Sequence, residues 1–91
     1  MLPFEVKDRI TSGITSEAVY VNEFSGGTDH YEVIVVSKEF EGLISLKRSR
    51  LIMDLFRAEI DTGEVHALSI KAFTPTQWEE EKENYITLGK I

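Results

Sequence analysis

A chain of 91 residues, 42% hydrophobic and 29% charged, holds material for one compact core and leaves no room for a second domain. Its net charge of -6, from 10 Lys and Arg against 16 Asp and Glu, opposes bulk attraction to nucleic acid. The sequence has no cysteine, which excludes disulfides, thiolate nucleophiles and any all-protein zinc or iron-sulfur site built on cysteine. No apolar run approaches the roughly 18 to 20 residues needed to span a bilayer. Met1-Leu2-Pro3-Phe4-Glu5 has neither a basic segment leading into an apolar one nor an Arg-rich transit composition. The expectation is a cytoplasmic protein, or an organellar one already processed, with no membrane partner.

Pro3 suits the first turn of a helix, and Phe4, Val6 and Ile10 give it a loose apolar stripe that Ser12-Gly13 ends. Ala18 to Phe24 reads as a strand around Val19, Tyr20 and Val21, and Ser25-Gly26-Gly27-Thr28-Asp29 as a turn. His30 to Ser37 carries the strongest strand pattern of the chain, with Tyr31, Val33 and Val35 on one face and Glu32 and Ile34 on the other. The spacing predicts a hairpin. Lys38 to Ile44 reads as an irregular turn anchored by Phe40. Ser45 is placed to cap one long helix whose apolar face runs through Leu51, Ile52, Leu55, Phe56 and Ile60 to a terminating Gly63. Val65 to Phe73 predicts a third strand, with His66, Leu68, Ile70 and Ala72 on one face. Thr74-Pro75-Thr76-Gln77 is a capping box that opens a last helix through Trp78, Lys82 and Tyr85.

The order α-β-β-α-β-α predicts an α+β domain with a three-stranded mixed sheet and its helices on one face. The long connection between the second and third strands permits them to run parallel.

The catalytic inventory is thin. The sequence contains no nucleophile elbow, phosphate loop or H-E-x-x-H pair, and its many carboxylates show no spacing that marks an acid and base. The chain therefore reads as a non-enzyme. His30 and His66 are either hydrogen-bonded residues at strand ends or metal ligands, since neutral imidazole is the commonest protein nitrogen donor. Two imidazoles do not complete a tetrahedral site, so a metal held by them needs ligands from elsewhere. Lys47, Arg48 and Arg50 form a basic cluster in the first turns of the long helix, where the helix dipole disfavours positive charge. They read as a solvated patch offset by Glu39 and Glu41 or, together with Lys71, as contacts for a protein partner, a glutathione carboxylate or nucleic acid. Trp78 reads as a core residue.

These residues carry a resemblance to the BolA family over roughly Val19 to Glu81. It rests on Gly27-Thr28-Asp29-His30-Tyr31 leading into Val33-Ile34-Val35-Val36-Ser37, on Phe40-Glu41-Gly42, and on Leu46-Lys47-Arg48-Ser49-Arg50-Leu51. Its most specific stretch is His66-Ala67-Leu68-Ser69-Ile70-Lys71-Ala72-Phe73-Thr74-Pro75-Thr76-Gln77-Trp78. The resemblance implies a class II KH-like fold and a partnership with monothiol, CGFS-type glutaredoxins. It implies a [2Fe-2S] cluster shared with the glutaredoxin cysteine and glutathione, with none held by the chain alone. His66 matches the family's histidine ligand.

The second ligand in relatives comes from the first hairpin loop, often as Cys or His. This loop has neither, which leaves His30 as the nearby imidazole. Ser49 stands where the family commonly has His between basic residues. The resemblance thus implies an adaptor in iron-sulfur cluster trafficking or iron homeostasis, and the free protein is expected to be a monomer. The alternative is a KH-like nucleic-acid-binding transcriptional regulator using Lys47, Arg48, Arg50 and Lys71.

Overall fold

Seven main elements follow one another in the computed structural model, which describes residues 1–23 and 30–91. They are α1 (Pro3–Gly13), β1 (Ala18–Glu23), β2 (His30–Val36), α2 (Ser45–Asp54), α3 (Arg57–Thr62), β3 (Ala67–Phe73) and α4 (Pro75–Thr87), with a 3-10 turn at Lys38–Phe40. The predicted turn at residues 25–29 and the end of the first strand at Phe24 lie outside the described residues.

β2 is the central strand. It pairs antiparallel with β1, setting Tyr20 opposite Ile34, and parallel with β3, setting Val33 opposite Ile70. The helical connection after β2 thus returns the chain to the same end of the sheet before β3 starts, as a parallel crossover must.

The sheet is covered on both faces, which corrects the expectation of helices on one face. Tyr31, Val33 and Val35 project into the larger core with Val6 and Ile10 of α1, Ile52 of α2, Phe40 and Phe56. Ile34 and Val36 project the other way, onto Trp78, Phe73, Tyr20 and Tyr85. The physical reason lies in β2, where alternation leaves two apolar faces and each requires its own cover. α4 supplies the second one. Trp78 is buried there within 5.8 Å of the Tyr20 ring and 5.5 Å of the Phe73 ring, measured between centroids.

The long middle helix is also two helices rather than one. Leu55 and Phe56 donate their amides three residues back, to Ile52 and Met53, a tightening that ends α2. The break turns Phe56 fully into the core and frees the Leu55 carbonyl, which accepts from Arg9 Nη1 at 2.7 Å. Leu55 packs so closely on Gly13 that a Cβ there would lie 2.5 Å from it. α3 then ends at Gly63 with φ of 82°, a left-handed position that glycine occupies without steric cost. At the start of α2 the N-cap is Ile44 and not the expected Ser45, and it makes no side-chain cap. The predicted box at α4 is present, with Gln77 donating its amide to Thr74 Oγ1 and accepting from the Thr74 amide.

Arg9 clasps α1 to α3 through two bonds to Glu59, at 2.8 and 3.0 Å. The Arg9 guanidinium holds the Glu59 carboxyl below its ordinary range, and the hydrogen bond to Glu59 raises Arg9 in turn. A carboxyl depressed by folding contributes stability above its unfolded pKa, about 4.3, and that contribution is lost as pH falls through the lower folded value. Urea unfolding at pH values from 6 down to 2 is therefore expected to show stability declining below about pH 4.5. The Glu59→Gln variant should decline less steeply, and equal slopes for the two proteins would count against the clasp.

Candidate metal-ligand site

His30 is the first residue of β2, and His66 immediately precedes β3. The sequence reading had placed His66 inside the third strand, whereas the strand starts at Ala67. Because β2 and β3 run parallel with His30 opposite Ala67, the two histidines come to one end of the sheet. Their rings stack with centroids 5.8 Å apart and planes 9° from parallel. His30 is half-buried and His66 exposed. Gly63 closes α3 beside them, where a Cβ would lie 3.7 Å from His66 Cε1. A sheet edge, a helix terminus and the strand register thus hold two imidazoles side by side and accessible.

Among the described residues, no group of three or more His, Cys, Asp or Glu side chains is arranged to hold a metal ion. The donor set offered here is two imidazoles and no thiolate. Two imidazoles on one iron, with sulfur ligands completing the centre, form a known class of [2Fe-2S] ligation; the two rings are near enough for it, but as stacked planes they would have to turn for a nitrogen of each to point at one iron. The remaining ligands would have to come from another molecule.

The basic residues separate. Lys47 and Arg50 are exposed on α2 and Lys71 is exposed on β3, but Arg48 is buried. Its Nε donates to the Leu43 carbonyl at 2.8 Å, and its Nη1 to Gln77 Oε1 at 2.7 Å and the Ala72 carbonyl at 3.2 Å. The guanidinium also lies 5.9 Å from the Phe40 ring centroid. The expectation of Arg48 as a surface contact is corrected: it joins the start of α2 to the end of β3 and the first turn of α4. That role explains a cation in the first turns of a helix, since three acceptors outweigh a dipole penalty of about 0.3 to 1 kcal/mol.

Sequence reasoning did not find the Glu32–Lys90 ion pair, 2.9 Å long and built on a buried carboxylate of the central strand. Glu32 within an apolar strand run was the available signal.

The family model described as BolA-like protein matches residues 7–77. BolA-like protein 1 of Bos taurus is 37% identical over 82 residues, covering 82% of this chain and 60% of that protein. The chloroplastic BOLA1 protein of Arabidopsis thaliana is 51% identical over 55 residues, covering 57% of this chain and 34% of that protein. Among solved structures, a Bol-like protein from Babesia bovis superposes with a TM-score of 0.78 at 30% identity, over 90% of this chain and 94% of that one. The chain spans under two thirds of the length of the first curated relatives it matches. No helix among the described residues is long and apolar enough to cross a membrane.

Truncating Arg48 to Met keeps the apolar stem and removes three charged hydrogen bonds. A loss of about 2 to 3 kcal/mol in urea unfolding is expected. Lys47→Ala and Arg50→Ala should each stay within about 0.5 kcal/mol of wild type, and an equal cost at all three positions would overturn the distinction.

Proposed function

The chain belongs to the BolA-like protein family, and we propose on that premise that it is a non-enzymatic adaptor for a monothiol, CGFS-type glutaredoxin. The two proteins share a glutathione-assisted [2Fe-2S] cluster in iron-sulfur trafficking or iron homeostasis. The observation that carries this reading is the stacked, accessible pair of His30 and His66 rings at one end of the sheet. The chain has imidazole nitrogen donors but no cysteine, so a cluster centre requires a partner that brings thiolates. Lys47, Arg50 and Lys71, all exposed, are the candidate cations for partner and glutathione carboxylates.

In this arrangement His66 is the more accessible ligand and His30 the more restrained one. The register of β2 against β3 brings them together, His30 opening β2 and His66 immediately preceding β3. Imidazole ligation raises a cluster's potential relative to all-thiolate ligation, and that is the chemistry the pair supplies when the cluster is bound.

Anaerobic reconstitution with a CGFS glutaredoxin, glutathione, ferrous iron and sulfide tests the proposal. Absorption and circular dichroism of the wild-type complex should differ from the spectrum of glutaredoxin alone. His66→Ala should abolish that difference, and His30→Ala should retain the protein complex while losing the nitrogen-ligated signature. A complex whose spectrum equals that of glutaredoxin alone would overturn cluster sharing. Loss with His66→Ala but full retention with His30→Ala would remove His30 from the ligand set.

A further inference from the structure

At the opposite edge of the sheet from β3, the backbone of β1 is open among the described residues. Ser37 donates its amide to the Phe73 carbonyl, so the odd-numbered residues of β2 direct their backbone groups to β3 and the even-numbered ones to β1. Ala18, Tyr20 and Asn22 accordingly pair inward with Val36, Ile34 and Glu32, while the N–H and C=O groups of Val19 and Val21 point away from the sheet. No further strand pairs with β1 among the described residues.

The two sheet edges differ. On β3 the Ala72 carbonyl is taken by Arg48 and Lys71 is exposed, and both are devices that discourage strand addition. β1, Ala18-Val19-Tyr20-Val21-Asn22-Glu23, contains neither Lys nor Pro. It lies at the floor of a groove walled by Pro3, Phe4 and Lys7 on one side and by Gly89, Lys90 and Ile91 on the other. Phe4 is 63% exposed and Ile91 41%, so each wall presents an apolar rim to whatever enters. The Lys90 ammonium is held by Glu32 and its carbonyl by Asn22 Nδ2 at 3.0 Å, which fixes the second wall.

The ends of the groove are acidic. Glu17 and Glu23 flank the strand, both exposed, against Lys7 in the first wall. A second copy fits poorly, because antiparallel self-pairing of β1 would bring Glu23 of one chain toward Glu17 of the other, and like charges across a strand pair are destabilising. The acidic ends repel a phosphate backbone as well.

We propose that the β1 edge binds an extended segment of another protein by strand addition, the segment being apolar through its centre and basic at both ends. Main-chain bonds to Val19 and Val21 hold it, the Phe4 and Ile91 rims cover its side chains, and Glu17 and Glu23 select its flanks. This surface is separate from the histidine pair and does not depend on the function proposed for it.

The probe is the capped peptide Lys-Val-Thr-Val-Thr-Val-Lys, titrated into the 15N-labelled full chain, with the same peptide ended by Glu as comparison. Amide shifts should centre on Ala18 to Glu23, and exchange at Val19 and Val21 should slow at least tenfold at saturation. The Glu-ended peptide should bind at least tenfold more weakly. The double variant Glu17→Lys, Glu23→Lys, altered only at exposed positions, should invert that order, and Phe4→Ser should weaken both peptides several-fold. Shifts centred elsewhere, no saturable binding at millimolar peptide, or an order unchanged by the charge reversal would overturn the proposal. So would protection of Val19 and Val21 by self-association without peptide, or displacement of the peptide by an oligonucleotide.

Discussion

The parallel pairing of β2 with β3 is the constraint on which the rest of the structure depends. Parallel strands start at the same end of a sheet, so the residues that precede or open them become neighbours however far apart they are in sequence. His30 and His66 are separated by the whole crossover, yet the register that sets His30 against Ala67 stacks their rings. The crossover must be held for that register to persist. Arg48 holds its start by reaching the carbonyls of Leu43 and Ala72 and the Gln77 side chain. Arg9 holds its end through Leu55 and Glu59. Two guanidiniums therefore support the register that brings the two histidines together.

The central strand explains both the two-sided architecture and the cost of disturbing it. Every residue of β2 after His30 is buried, which is the pattern of a strand covered on both faces. One of these residues is Glu32, whose second carboxylate oxygen, Oε1, has no hydrogen-bond partner among the described residues. Such a group is tolerated only when its charge is paired, and removing one member of a buried pair costs more than the pair itself contributes. Lys90 is thereby tied to the sheet, and with it the turn that follows α4.

How much of this was legible in the sequence depended on the range over which each signal acts. Alternation in Tyr31 to Val36, the Thr74 to Gln77 box and the Gly63 stop are local, and each was read correctly. The sorting of α4 to the second face was not, because the pattern that demands two covers does not say which helix supplies each. The break at Leu55 and Phe56 was hidden for a similar reason: the apolar stripe continues through it, and only the contact with Gly13 and the Arg9 bond to the freed carbonyl require it. Arg48 looked like its neighbours Lys47 and Arg50, since nothing in a basic triplet marks which member lies at the buried helical angle. Both histidines were recognised as candidate ligands, but their stacking follows from pairing geometry that a linear reading does not contain.

The two edges of the sheet have been treated in opposite ways, and Arg48 and Lys90 are the reasons. Arg48 spends one of its bonds on an outward carbonyl of β3, so fixing the crossover also blocks that edge. Lys90 does the converse. Its ion pair with Glu32 draws the C-terminal turn down beside β1, and Asn22 fixes the Lys90 carbonyl there, which builds a wall next to the strand, while no described residue pairs with the strand's outward backbone groups. A buried charge that would otherwise be only a cost thus shapes the flank of an open edge. The histidine pair and the open edge occupy different parts of the same sheet, one set by the register of β2 with β3 and the other by what packs beside β1.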